Sequence, residues 1–331
     1  MRAMATETTH IVVNPAAGGG RTSRLLDRLM PLLRRYFGAE STLLVTQRPG
    51  DARSWAREAA LRGCRRMVVV GGDGTIHECV NGILASALPG TADITLGLIS
   101  TGTGCGLARS LLLPNSLEAQ LNVVLEQPAR LLDLGRMVRE RDGSTIYFVN
   151  ECQIGIGAEV VRRTRHAKKA FGGSLAYAAA TVPLLFSYPA PAVDLEIDAL
   201  PRATLPVTGI SIGNGAITGG GMHLTPLAEL DDGYIDVLVM KAQSSLHRAH
   251  GFLRVRSGRH IESADFLYRQ VRRLRLSSLL ELPVAADGEL VGVLPVRFDV
   301  LPRAIAVHCP HQRTSEQTYD NIRSATEEIG V

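Results

Sequence analysis

Apolar and polar positions along this chain change rhythm near residue 134. Before it, short β-like runs alternate with stretches of helical period. Ile11-Val12-Val13 leads through a glycine-rich segment to a helix face at Leu25, Leu26, Leu29, Leu32 and Leu33. Thr42 to Thr46 predicts a strand, Asp51 to Leu61 a helix, and Met67 to Val70 and Thr95 to Ile99 two further strands. After Thr75 the apolar residues fall at Ile76, Cys79, Val80, Ile83 and Leu84, the spacing of one helix face. Such alternation implies a parallel sheet with helices on both faces. Pro31 inside the first helical pattern predicts a kink or break.

Beyond residue 134 strand patterns dominate: Tyr147 to Val149, Val193 to Ile197, Val207 to Ile212, Ile235 to Met240, Val271 to Leu276, Leu290 to Leu294 and Ala304 to Val307. One helical candidate, Ala158 to Phe186, interrupts them. The expected organisation is an α/β domain over residues 9–133, a β-rich domain over 134–311 and a loose polar tail over 312–331.

Composition narrows the class. The chain has 331 residues, 45% of them hydrophobic, enough for two cores and too apolar for a disordered chain. A net charge of +4 with 5% aromatic residues argues against nucleic-acid binding and suits an anionic ligand or a membrane surface. Five cysteines without CxxC spacing argue against a zinc site or a disulfide framework, and point to a reducing cytosol. Met1 to His10 carries no signal-peptide pattern, and Leu175 to Val193 is too short and too broken by Pro183, Pro189 and Pro191 to span a membrane. A cytoplasmic protein, soluble or peripherally membrane-associated, is expected.

The chemistry concentrates in three glycine turns, each following a strand: Asn14-Pro15-Ala16-Ala17-Gly18-Gly19-Gly20, Gly71-Gly72-Asp73-Gly74-Thr75 and Gly102-Thr103-Gly104-Cys105-Gly106. Backbone N–H groups at a strand-to-helix turn can face an anion with the helix dipole behind them. A carboxylate such as Asp73 repels phosphate unless it holds Mg²⁺ or accepts a proton from a substrate hydroxyl, which points to phosphoryl transfer. No turn alone is a Walker A loop or a dinucleotide fingerprint. In an open α/β sheet the three would converge at the carboxyl edge of the strands, where ligands bind.

Together with Glu78, Asn81-Gly82, Leu107-Ala108-Arg109-Ser110-Leu111, Gly213-Asn214-Gly215, Gly219-Gly220-Gly221-Met222, Pro226, Asp231-Asp232-Gly233-Tyr234-Ile235-Asp236-Val237 and Asp287-Gly288-Glu289, these turns resemble the diacylglycerol kinase and sphingosine kinase superfamily, bacterial lipid kinase branch. The resemblance spans roughly residues 10 to 310. It implies a nucleotide-binding domain followed by a β-sandwich-like domain, ATP and Mg²⁺ as cofactors, and a lipid acceptor met at a membrane surface, with a homodimer as an open option. Asn14, Pro15, Gly18 and Gly19 would line the ATP phosphates, with Thr46 beside the nucleotide. Gly71, Gly72, Asp73, Gly74, Thr75 and Glu78 would form the central phosphate and metal loop, and Gly102 and Thr103 would contribute from the third turn. Glu289 or Asp287 would take the proton from the lipid hydroxyl. Asp232, with backbone carbonyls near Glu229 and Tyr234, matches a structural Mg²⁺ site of the branch.

One departure falls in the third turn, where Cys105 and Gly106 replace the Asn and Asp usual in bacterial members. Sphingosine-kinase-like members also lose that acid, so the expected acceptor is a diacylglycerol-like or a sphingoid-like lipid. Simpler roles stay open for several residues. Glu78, three after Thr75, fits a capping box, and Asp232 and Asp287-Gly288-Glu289 fit ordinary turns. His77 reads as a helix residue. Arg162-Arg163-Thr164-Arg165-His166-Ala167-Lys168-Lys169 is either a solvated face or, abutting an apolar stretch, a contact for an anionic bilayer. Alternatives to the lipid kinase are a soluble NAD kinase-like enzyme and a catalytically inactive nucleotide- or lipid-binding regulator.

Overall fold

The computed structural model describes residues 9–86, 93–171 and 173–310, and only the backbone of residues 165–178 within that span. The tail expected over 312–331 lies outside the described residues. The chain forms two compact units, Met1–Leu132 with Arg303–His311, and Asp133–Pro302 with Gln312–Val331.

In the first unit, β1 (Thr9–Val13), β2 (Thr42–Val45), β3 (Arg66–Gly71) and β4 (Thr95–Ser100) form a parallel sheet in the order β4-β3-β1-β2. Met67 to Val70 is buried throughout, which is why that strand reads as an unbroken apolar run. The helices are α1 (Ala17–Phe37), α2 (Asp51–Leu61), α3 (Asp73–Leu84), α4 (Gly106–Ser110) and α5 (Leu117–Glu126). Leu29 and Leu33 of α1 pack with Ile11, Val13, Val68 and Val70 in one core cluster.

The break expected at Pro31 is absent: α1 continues through it, and its non-helical residues are Gly18, Gly19 and Gly20, with φ of 63°, 66° and 86°. Pro31 lies on the exposed face, where water can reach the carbonyl that its missing N–H leaves unpaired. Three left-handed residues in succession are a conformation that glycine adopts without Cβ strain.

The second unit is β-rich and antiparallel. Its strands are β5 (Ala129–Arg139), which begins in the first unit, β6 (Thr145–Phe148), β7 (Glu151–Gly155), β8 (Ala192–Ile197), β9 (Ala203–Gly213), β10 (Ile235–Lys241), β11 (Phe266–Val271), β12 (Arg273–Ser277), β13 (Pro283–Ala286), β14 (Glu289–Val293) and β15 (Val296–His308). One sheet runs β14-β13-β7-β9-β10-β11. The other runs β8-β12-β15-β5-β6, and the first residues of β9 pair with β8. Their apolar residues form one core that includes Phe148, Ile210, Ile212, Val237, Leu276 and Phe298. Phe148 meets Phe298 edge to face, ring centroids 6.2 Å apart. Among the described residues its α-helices are α6 (Ile156–Phe171), α7 (Gly173–Ser187) and α8 (Ser245–Val255).

Three expectations shift here. The strand expected over Val271 to Leu276 is two strands, because the chain changes sheets at Arg272: β11 pairs with β10, and β12 with β8 and β15. The Asp198 carboxylate accepts the N–H groups of Arg272 and Arg273 at that point (3.1 and 2.8 Å). The single helix candidate is the pair α6 and α7. The end of β15, which falls within the expected 134–311 domain, groups from Arg303 with the first unit, where Ala306 and Val307 pair in parallel with Thr95 and Leu96 of β4.

Candidate active site

In the first unit the three glycine turns leave the same ends of three neighbouring parallel strands, β1, β3 and β4, and they are bonded to one another. Asn14 donates its side-chain amide to Thr75 Oγ1 (2.9 Å) and its backbone N–H to Val70 O (2.9 Å). Its Oδ1 accepts the N–H of Ala16 (3.0 Å), which closes the first turn. Thr101 donates its N–H to Gly71 O (2.8 Å), and its hydroxyl lies 2.5 Å from that of Thr22. Gly72 and Gly102 touch backbone to backbone: a Cβ built on Gly102 would lie 2.7 Å from Gly72 Cα, and one on Gly72 would lie 3.1 Å from Gly102 Cα. Only glycine permits that approach.

Asp73 is the first residue of α3, and its carboxylate accepts the N–H of Gly106 (3.1 Å) and of Leu107 (3.3 Å), the first two residues of α4. Those are orphan donors of a helix start, and no side chain of the preceding residue, Cys105, caps them. Cys105 itself takes a left-handed backbone (φ 48°), with its thiol donating to Gly102 O and sitting 3.0 Å from Ser100 Oγ. Burial pushes that thiol up from its ordinary pKa.

Glu78 does not cap α3. The helix starts at Asp73, so Thr75 is already inside it, and Glu78 Oε1 instead accepts the N–H of Gly50 ahead of α2 (2.9 Å). Thr46 directly follows β2, with its N–H on Val13 O (2.9 Å). Pro15, Gly18, Gly71, Gly74 and Thr75 lie in or against the same turns, while Gly19 and Thr103 are exposed on them. Thr22 and Thr101, not singled out in the sequence, belong to the cluster as well; the one signal for Thr101 is its place directly before Gly102.

In the second unit Asp287 and Glu289 flank the tight link between β13 and β14 and differ sharply. Asp287 is buried, with φ 47°, and its carboxylate accepts three backbone N–H groups, from Val149 (3.0 Å), Asn150 (2.9 Å) and Glu151 (3.1 Å). Glu289 is exposed and makes no side-chain hydrogen bond or ion pair with the described residues. Asp287 thus ties the β13–β14 link to the segment before β7, whereas the Glu289 carboxylate stands exposed beside it.

Asp232 lies on the loop before β10. Its Oδ1 accepts the N–H of Tyr234 (2.9 Å), and its Oδ2 the side-chain amide of Gln270 (3.3 Å). Burial raises its pKa, the Tyr234 N–H opposes that, and the charges of Glu229 and Asp133 raise it further. Asp133, an acid inside the apolar run Leu131-Leu132-Asp133-Leu134, is fully buried and accepts the N–H of Gly233 (2.6 Å). A divalent cation would relieve this mutual repulsion, so the donor chemistry fits Mg²⁺. Among the described residues, however, no three His, Cys, Asp or Glu side chains are arranged to hold a metal ion, so ligation would lean on backbone carbonyls and water.

Comparison with known proteins agrees with this layout. Residues 8–137 match the diacylglycerol kinase catalytic domain, and residues 150–309 the YegS C-terminal NAD kinase beta sandwich-like domain. A diacylglycerol kinase of Staphylococcus carnosus (strain TM300) is 28% identical over 301 residues, 91% of this chain and 94% of that protein. One of Staphylococcus aureus (strain bovine RF122 / ET3-1) is 29% identical over 315 residues, 94% and 95% of the two chains. Two crystal structures from Bacillus anthracis str. Sterne share the fold, with TM-scores of 0.75 and 0.67 at 24% and 20% identity, each covering 92% of this chain and 97% of the other. Its two units are thus matched in turn by a diacylglycerol kinase catalytic domain and a YegS C-terminal domain, the domain pair of the superfamily that its motifs resemble.

Proposed function

We propose that this protein is an ATP-dependent lipid kinase that phosphorylates a lipid hydroxyl at a membrane surface. The observation that carries the reading is the bonded cluster of three glycine turns at one end of a parallel sheet, held by Asp73. Such turns present N–H groups and helix starts to phosphate oxygens, which suits the β- and γ-phosphates of ATP. Glu289 accepts the proton of the lipid hydroxyl as its oxygen bonds to the γ-phosphorus, and the bond from that phosphorus to the bridging oxygen breaks to release ADP. Asp287 is a positioning residue, since its oxygens are taken by backbone donors. Mg²⁺ bound with ATP would neutralise charge on the transferring phosphoryl group, and Asp232 with the carbonyls near Glu229 and Tyr234 would hold a structural Mg²⁺.

Support for membrane contact comes from side chains outside the basic run. Arg162 and Arg163 of the basic run both pair with Glu159, and the side chains of Arg165, Lys168 and Lys169 lie outside the described residues. Among the described residues, helix-borne exposed apolar side chains include Val182 and Phe186 on one face of α7, and Leu246 and Leu253 on one face of α8. Ser245 donates its hydroxyl to Phe186 O (3.3 Å), which brings these two helix ends together. No described helix is long and apolar enough to cross a membrane, so a surface contact is the mode these residues support.

The test is incubation of purified protein with radiolabelled ATP, Mg²⁺ and a mixed lipid extract. A single labelled lipid is the expected product. Failure to label any lipid, with nucleotide still bound, would leave the inactive regulator as the better reading.

A further inference from the structure

Leu274 and Leu276 of β12 and Val296 and Phe298 of β15 point into the core of the second unit, so the residues that alternate with them share the opposite face of the sheet. That face carries arginines in two neighbouring rows, and the rows are neutralised differently. In one, Arg275 of β12 stands opposite Arg297 of β15 and Glu196 of β8. Arg275 donates to both oxygens of Glu140 (2.8 and 2.9 Å) and to Glu196 (2.7 Å), and Arg297 reaches Glu140 (3.1 Å). Two guanidiniums there meet two carboxylates.

In the next row Arg273 of β12 stands opposite Asp299 of β15, and Arg136 of β5 donates to both oxygens of Asp299 (2.8 and 3.0 Å). The acid corresponding to Glu196 in this row is Asp198, just past the end of β8, and it is withdrawn. Its carboxylate turns onto the backbone, where it accepts the N–H groups of Arg272 and Arg273. The guanidiniums of Arg272 and Arg273 therefore make no ion pair among the described residues.

Arg136, Arg272, Arg273 and Asp299 line a cleft of about 390 Å³ that lies within the second unit. Asp299 is its one acidic lining residue among the described residues, and Arg136 already holds it, so two positive charges are left over. Arg272 is also fixed in place. Its guanidinium carbon sits 4.8 Å from the centroid of the Tyr234 ring, and its Nη2 donates to the Tyr234 hydroxyl (3.3 Å). A guanidinium stacked on a ring keeps edge N–H groups available for an oxyanion, with little rotamer freedom left to lose. Guanidinium forks match phosphate oxygens in geometry. A phosphate dianion matches the surplus charge, whereas a carboxylate or a phosphodiester brings only one charge. The cleft is larger than a phosphate group, which leaves space for the alcohol part of an ester.

We propose that this cleft binds a phosphate dianion, free or as a monoester, through Arg272 and Arg273, beside the neutral pair of Arg136 and Asp299. None of its residues belongs to the glycine turns, and the proposal does not rest on the lipid-kinase reading. The test is titration calorimetry of the full chain with inorganic phosphate in low salt at about pH 8, where phosphate is mostly dianionic. Because the glycine turns suit phosphate as well, variants identify the cleft. Arg272→Gln and Arg273→Gln should each weaken one binding event at least about fivefold. Arg297→Gln removes the same charge from the neutralised row and should leave that event within about twofold. Asp299→Asn releases Arg136 and should tighten it at least about threefold, which keeps the test open if an arginine variant does not fold by thermal melt. Phosphate affinity unchanged in the folded Arg272→Gln and Arg273→Gln proteins, an equal loss in Arg297→Gln, or weaker binding in Asp299→Asn would overturn the assignment. Sedimentation with phosphatidylcholine vesicles, with and without phosphatidic acid, separates the two sources of the group. If Arg272→Gln removes the part of binding that depends on phosphatidic acid, the site takes a lipid headgroup. If that part survives while free phosphate is weakened, the site takes a soluble phosphate. Either result upholds the cleft as a phosphate site.

Discussion

The carboxylate of Asp73 accepts the backbone N–H of Gly106 at 3.1 Å, so an acid in the second glycine turn serves as the cap for the helix that follows the third. This gives Asp73 a structural duty beside its proposed catalytic one. Asp73→Ala should abolish lipid phosphorylation, two or more decades in rate, and lower unfolding stability by about 1–2 kcal/mol through loss of the cap. Denaturant melts and a kinase assay on one preparation check both. Activity lost with stability intact would confine Asp73 to chemistry; stability lost with activity intact would remove it from the mechanism.

Glu289 and Asp287 should separate in the same pair of measurements. Glu289→Gln is expected to stop turnover and leave stability within about 0.5 kcal/mol, as for other exposed positions. Asp287→Ala strips three backbone donors of their acceptor and should cost on the order of 3 kcal/mol. A Glu289→Gln enzyme with near wild-type turnover would transfer the proton-accepting role elsewhere.

The contact of Gly72 with Gly102 leaves no room for a methyl group. Gly102→Ala should force the second and third turns apart, since its Cβ would sit 2.7 Å from Gly72 Cα. The expected signature is a rise in the KM for ATP together with destabilisation of about 1–3 kcal/mol. Wild-type ATP kinetics in this variant would show that the turns need not touch for nucleotide binding.

The third turn offers two single changes with opposite physics. Cys105 holds a left-handed backbone that asparagine adopts more readily, so Cys105→Asn should be neutral or stabilising by up to about 1 kcal/mol. Gly106→Asp would place a second carboxylate beside that of Asp73 and should make activity more dependent on Mg²⁺ concentration. With both changes, acceptor preference should move towards diacylglycerol. A wild-type enzyme already selective for diacylglycerol would contradict that expectation.

The acid limb of stability should carry the mark of Glu140. Hydrogen bonding from Arg275 lowers its carboxyl pKa, with partial burial opposing and the charges of Arg275 and Arg297 adding to it. A depressed carboxylate contributes stability that is present above its unfolded pKa, near 4.5, and lost as pH falls through the folded value. Glu140→Gln should therefore cost about 1 kcal/mol at neutral pH and little once the pH has fallen below the folded pKa, flattening the profile between. Parallel wild-type and variant curves would exclude the pair as a source of acid sensitivity.

Local pattern was a good guide wherever one strand or helix was buried in the simple way its period implies. Asp51 to Leu61 is a helix within the bounds that its pattern predicts, because Ala52, Ala56, Ala59 and Ala60 form one buried face. Pattern failed where the fold spends a residue on a change of direction: Val271 to Leu276 looks continuous, yet Arg272 leaves one sheet for another and depends on Asp198, more than seventy positions away, for its N–H. The turns were legible as glycine clusters, but their mutual bonding was not. Nothing in the sequence pairs Asp73 with a backbone thirty-three residues on, or hands Glu78 to Gly50. The contrast between Asp287 and Glu289 was equally hidden, since two acids around a glycine look alike until their burial is known.

The late return of β15 to β4 has a bearing on biogenesis. While the chain is being made, Thr95 and Leu96 stand at a bare sheet edge until Ala306 and Val307 leave the ribosome, by which time the whole intervening β-rich unit has been synthesised. An unpaired edge of this kind recruits foreign strands. Expression of residues 1–132 alone, or premature termination near residue 300, should therefore yield aggregates, whereas a circular permutant that supplies residues 303–310 ahead of β1 should release the first unit from that wait.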